Sequence, residues 1–242
     1  MKPHADDADL NLSQPPRIAA PRPPHVECGN LLTGLSGTSG RCGALPGSLV
    51  FAYRGWHVDA SRAAAVQPHD RSIGAICRQI DIVEGVGLSP DILQFMRSVR
   101  FWINPLRKGS VGNYARPTGV DFHVRELNPN LPIALHELLH AFHDQCLGFR
   151  HPVIHKFYQS ALGRNDWLRD AHMLTNGPEF FAMTASALLF RHIPRPPYSA
   201  ELLKQTQPEY FDWLSILLHH ARASWSEGAA QKYGPAYSLV GP

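Results

Sequence analysis

An α+β fold is what this sequence predicts: a small mixed sheet, one central helix, then a mainly helical second half. Three observations predict it. Short apolar or alternating stretches bounded by Gly and Pro gather before residue 125. A long apolar segment of helical period, residues 130–149 (NLPIALHELLHAFHDQCLGF), stands in the middle. After Gly148, every periodic stretch has helical spacing.

Taken in order, residues 1–27 are rich in Pro, Ala and Asp and are expected to form a flexible tail. Residues 28–48 continue as a Gly/Ser loop, and 28–242 is expected to be a single domain. Leu49–Tyr53 (LVFAY) is a short apolar strand. In Ser72–Val86 the residues Ile73, Ile76, Ile80 and Val83 recur at helical spacing, and Gly85 and Gly87 end that helix. Ser89-Pro90 is an N-cap followed by proline at the first helical position, so Ser89–Arg97 is a short helix. Val99–Asn104 is a strand closed by Pro105, and Val111–Arg116 is a polar, Gly-containing connection. Gly119–Arg125 alternates, with Val120, Phe122 and Val124 on one face, and is read as a further strand. It stands just before the central helix, where it either offers its edge to an extended peptide or serves as an ordinary sheet strand. Asn130 is a good N-cap for the central helix, Pro132 suits its first turn, and Gly148 is a natural stop. Helices follow at Pro152–Leu162, Pro178–Phe190, Ala200–Thr206 and Glu209–Trp225, interrupted by the Pro-rich break Ile193–Tyr198. The two halves suggest an N-terminal lobe of about 45–148 and a helical lobe of about 149–242, with a site between them.

Bulk composition narrows the function classes. Apolar content of 44% with 18% charged residues fits a globular protein. A net charge of +3, with no block of like charges, does not indicate nucleic-acid or membrane attraction. No apolar run reaches bilayer length. Lys2 is followed by Asp6, Asp7 and Asp9 without an apolar core, unlike a signal peptide. A soluble protein, cytoplasmic or secreted, is expected. The four cysteines match no Cys-x-x-Cys module; Cys28 and Cys42 are either bridged or reduced.

The chemistry lies in the central helix, which contains His136-Glu137-Leu138-Leu139-His140. Positions i and i+4 share a helix face, so both imidazoles point the same way and can bind one Zn²⁺. Glu137 can reach a water on that ion. Histidines embedded among Ile133, Leu135, Leu138, Leu139, Ala141 and Phe142 are costly unless something binds them. A catalytic zinc site takes three protein ligands plus water. His143 shares the face, but it is a full turn further along and should miss the ion. Glu179, entering the apolar helix GPEFFAMTASALLF, is the best third ligand. The alternative is a capping box, Asn176-x-x-Glu179, in which the carboxylate serves the helix start. Asp144, Asp166, Asp170, His151 and His155 are weaker candidates, with solvent exposure as their ordinary state.

The runs HELLHAFHDQ and TNGPEFFAMTASALL, in that order, resemble the gluzincin metallopeptidases of the anthrax lethal factor and Mlc titration factor A kind. The resemblance covers about residues 77–190, and CRQIDIVEGVGLSP and GVDFHV look like bacterial relatives of this type. It implies a zincin-like, two-lobe catalytic domain with one zinc on His136, His140 and Glu179, Glu137 as general base, and a peptide or protein substrate. In that family a Tyr commonly stands seven residues before the ligand Glu and helps hold the oxyanion; here that position is His172, which can donate in the same way. Tyr158 is the alternative donor. Where lethal factor has a carboxylate four residues after the ligand Glu, this chain has Met183, so Ser186, Thr184 or a backbone carbonyl must orient a ligand histidine. The resemblance thus implies a zinc metallopeptidase. A zinc-stabilised binding protein that has lost catalysis, or a zinc hydrolase of non-peptide amides, are the alternatives.

Overall fold

The computed structural model describes residues 50–65, 69–104, 111–123, 128 and 131–219. All of these belong to one unit, Cys42–Pro242; the other, Met1–Arg41, lies outside the described residues, as do the tail and the Cys28–Cys42 pair. Among the described residues the architecture is α+β, a five-stranded mixed sheet with seven α-helices.

The chain enters the described region with a hairpin, β1 (Val50–Tyr53) and β2 (Trp56–Asp59), in antiparallel register. Its two-residue turn, Arg54-Gly55, has positive φ at both positions (49° and 83°), matching the twist of the paired strands. The sequence carried this signal, because an apolar run, Arg-Gly and the alternating WHVD stand in succession; β2 was not among the expected strands. Helix α1 (His69–Gly85) and helix α2 (Pro90–Ser98) then cross over to β3 (Phe101–Ile103), parallel to β2. Ser89 caps α2, its side chain accepting from the Ile92 N–H, as Ser-Pro predicts. Tyr53 and Trp56 tie the hairpin to α1 by donating to Asp81 and Glu84.

One sheet expectation needs correction, and one left open is decided. Gly112–Ala115, read as a polar connection, is strand β4, and Gly119–Phe122 is strand β5. The order is β1-β2-β3-β5-β4, so β5 is interior, parallel to β3 and antiparallel to β4. Its edge is therefore not available to a peptide. Among the described residues the sheet edges are β1 and β4, and the mixed polar sequence of β4 suits an edge strand. The interior place of β5 explains its start: a Cβ on Gly119, which has φ of 99°, would collide with the Arg100 carbonyl of the adjoining chain.

The central helix α3 spans Ile133–Phe142 and runs directly into a π-helical turn, His143–Leu147, that stops at Gly148 with φ of 80°. Asn130 lies outside the described residues, and Pro132 occupies the N-cap without a side-chain cap bond. The helix start is held instead from α1. Gln79, fully buried, accepts from the Ala134 N–H (3.0 Å) and donates to the Leu131 carbonyl (2.8 Å). Position 79 falls on the apolar stripe of α1 beside Ile76, Ile80 and Val83, where an amide needs partners. Gln79→Leu leaves the buried Ala134 N–H unpaired, while the Leu131 carbonyl keeps the Ile133 N–H (2.9 Å). We expect it to destabilise the fold by about 1–3 kcal/mol, read by urea unfolding. A loss below about 0.5 kcal/mol would remove Gln79 from this role.

After Gly148 come α4 (Pro152–Gly163), α5 (Gly177–Phe190), α6 (Ala200–Thr206) and α7 (Pro208–His219). Residues 220–225 of the last expected helix lie outside the described residues. Every residue of α5 from Phe180 to Leu189 is buried, so α5 is the central helix of this half, and α3 packs against it. The Pro-rich break closes with a bridge between His192 and Ser199. No helix among the described residues is long and apolar enough to cross a membrane.

Two buried histidines make the fold acid-sensitive. His151 stacks against Trp213 with its Nδ1 buried and without a partner among the described residues, and burial pushes its pKa down to about 4. His143 lies against Phe149 and Phe181; burial, then His140 and His151, push it down to about 3. In the unfolded chain both bind protons near pH 6.5. Between there and about pH 4 the unfolded state holds more protons, so stability must fall as pH falls, by roughly 1 kcal/mol per pH unit for each histidine. His151→Phe should flatten that slope between pH 7 and 5 in thermal unfolding. An unchanged slope would show that His151 protonates freely in the folded state.

Candidate metal centre

Packing of α3 on α5 brings the two sequence motifs together. On α3, residues 135, 138, 139 and 142 face the core, which turns 136 and 140 to the same side toward the start of α5. Asn176 caps α5 by accepting from the Glu179 N–H (2.8 Å), so the capping half of the Asn176-x-x-Glu179 pattern is real. The cap uses only the backbone of Glu179. Its carboxylate turns to the histidines: Oε2 lies 3.2 Å from His136 Nε2, 3.4 Å from His140 Nε2 and 3.0 Å from His172 Nε2. The two α3 imidazoles face each other edge to face, Nε2 to Nε2 at 3.1 Å.

His136, His172 and Glu179 each present a ligand atom, all within 4.8 Å of one another, which is metal-binding distance. The His136–His140–Glu179 triangle has edges of 3.1, 3.2 and 3.4 Å. Three donors on a tetrahedral zinc, each at 2.0–2.1 Å, would stand about 3.3–3.4 Å apart. Glu179 Oε2 is buried and has no aligned hydrogen-bond partner among the described residues, despite three nitrogens within reach. Burial opposes ionisation of Glu179, yet His136 and His140 outweigh it and hold the carboxyl below the ordinary carboxylate range. A buried carboxylate oxygen ringed by imidazole nitrogens fits a divalent cation, and the donor set does not by itself identify which one.

The remaining predicted site residues separate clearly. Glu137, half-buried, accepts from the Tyr114 N–H of β4 (2.9 Å), and a Cβ on Gly112 would lie 3.1 Å from its Cγ. Strand β4 thus lies against the carboxylate, a contact the sequence did not signal because Val111–Arg116 lacks strand alternation. The same strand is tied to the π-turn: Tyr114 donates to Asp144 (2.7 Å), and Arg116 pairs with it (2.6 Å). Asp144 is therefore committed there. Tyr158 donates to the Leu174 carbonyl (3.1 Å), holding the turn that carries His172 rather than facing the site. Thr184 bonds to the Phe180 carbonyl and Tyr210 and faces away from the histidines. Ser186 Oγ is buried without a partner among the described residues, so neither hydroxyl orients a ligand histidine. His155, Asp166 and Asp170 are exposed, and His151 is packed on Trp213.

A cleft of about 400 Å³ opens over these groups, lined on one side by Gly112, Ile133, His136 and Glu137 and on the other by His172 and Met183. Arg195, from the Pro-rich break, also lines it. Compared with known proteins, the chain matches no family model, no curated protein and no solved structure.

Proposed function

We propose that the chain is a zinc-dependent metallopeptidase of the gluzincin type, built on a zincin-like two-lobe plan with the cleft between the lobes. The observation that carries this reading is the triangle of His136 Nε2, His140 Nε2 and Glu179 Oε2, whose edges match the spacing of zinc ligands, with the Glu137 carboxylate lining the cleft beside His136. Zinc, when bound there, supplies Lewis acidity and makes water a nucleophile near neutral pH.

The chain's own residues do the rest. Glu137 takes the proton of the attacking water and returns it to the leaving amine. One of its carboxylate oxygens accepts from the Tyr114 N–H, and the side chain lines the cleft. His172, on the opposite wall, donates to the oxyanion as the carbonyl becomes tetrahedral. An extended peptide would lie along the edge of β4, beside the Tyr114 N–H that Glu137 occupies. Val111 and Gly112 bring that edge to the cleft.

Cleavage of a casein-type substrate by the zinc-loaded chain, abolished by a chelator and restored by added zinc, is the expected result. A folded, zinc-loaded chain that leaves such substrates intact favours the second reading, a zinc-binding protein without catalysis. The closeness of His172 to Glu179 is the observation behind that second reading.

A further inference from the structure

We propose that His172 is an exchangeable fourth protein ligand, which closes the metal site in the resting protein and leaves it when substrate enters. The proposal rests on the metal reading above and concerns how that site is regulated. Distance is the first argument. His172 Nε2 lies 3.0 Å from Glu179 Oε2, closer than either His136 or His140. That is a few tenths of an ångström inside the spacing of two donors on a tetrahedral ion, and His136, His172 and Glu179 together present ligand atoms within 4.8 Å of one another. An oxyanion donor bonds to a substrate oxygen that itself occupies a ligand position, so it belongs one hydrogen-bond length further out.

The second argument is how the side chain is mounted. His172 opens a 3-10 turn, His172–Leu174, between buried Ala171 and fully buried Met173. The Leu174 N–H donates to the Ala171 carbonyl, and Tyr158 holds the Leu174 carbonyl from α4. The backbone is thus fixed beside Glu179. The His172 side chain is 40% exposed, against 17% for His136 and 11% for His140. Of the three imidazoles, only this one can rotate toward solvent without disturbing the core. A catalytic site needs an open position, and four protein ligands leave none on a tetrahedral ion. Departure of His172 frees that position and leaves the imidazole at the cleft wall, where it can serve as the oxyanion donor.

Cobalt(II) reports the coordination number directly. The metal-free full-length chain, His172→Phe and His172→Gln should be loaded with Co²⁺ and compared by visible absorption, chelator competition and azide titration. The unaltered chain should show the intense absorption of a four-coordinate ion and little response to azide. Both variants should bind Co²⁺ more weakly, on the order of 10²-fold, and shift their spectrum as azide enters. Circular dichroism of the metal-free chains confirms that folding is retained. Affinity and spectrum unchanged in both variants, while Glu179→Ala loses the metal, would overturn this proposal alone. An unaltered chain that binds neither Co²⁺ nor Zn²⁺ would overturn the metal reading beneath it.

Discussion

Glu179→Ala is expected to lose bound zinc, weakening affinity by more than about 10²-fold, while the metal-free fold stays intact. The two parts of this expectation have separate physical origins. In the proposed site, zinc affinity would depend on the carboxylate, which has three imidazole nitrogens at 3.0–3.4 Å. The start of α5 depends on the Glu179 backbone N–H, which donates to Asn176 and is unchanged in alanine. Measuring metal stoichiometry and thermal unfolding on the same preparation therefore separates ligand from cap. Unchanged stoichiometry would return Glu179 to a purely helical role. A collapse of the metal-free fold would mean that the carboxylate holds the three histidines together without any ion.

Glu137→Gln is the companion expectation, and its signature is the reverse. Turnover should fall by about 10²–10⁴ while zinc stays bound, because one general base is worth that much. Glutamine keeps an oxygen that can accept from the Tyr114 N–H, so the side chain stays where β4 holds it and only proton acceptance is lost. The contrast with Glu179→Ala matters: one variant keeps metal without activity, the other loses both. Full turnover in Glu137→Gln would remove it from the proton path. Loss of zinc in that variant would mean that Glu137 supports the ligand set rather than the chemistry. Gly112 sets a limit on this geometry, since even a methyl there would press on the Glu137 Cγ at 3.1 Å.

His172 illustrates how function and spacing interact. The resemblance to gluzincins implies an oxyanion donor at this position, seven residues before Glu179, a role proposed here for His172. In the structure its ring nitrogen is as near the carboxylate as the two helix histidines are. The seven-residue separation does not decide between the roles, because the intervening 3-10 turn and the Asn176 cap determine the direction in which the ring points.

Much of the chain was legible by itself. Periodicity located α1, α2, α3, α4, α5 and α6 to within a few residues, because each buries one stripe or is apolar all round. The i, i+4 spacing of His136 and His140 determined that their imidazoles share a face, since helix geometry alone requires it. The Asn176 cap was equally local, resting on residues three apart. What only the tertiary structure decided were the relations between segments distant in the chain. A polar stretch became an edge strand because β5 offered it a ladder, which made β5 an ordinary interior strand, one of the two readings its sequence left open. Gln79 became the cap of a helix 55 positions away, a bond no local pattern encodes. Glu179 met the histidines because α5 packs on α3, where a carboxylate either finds a cation or pays for its burial.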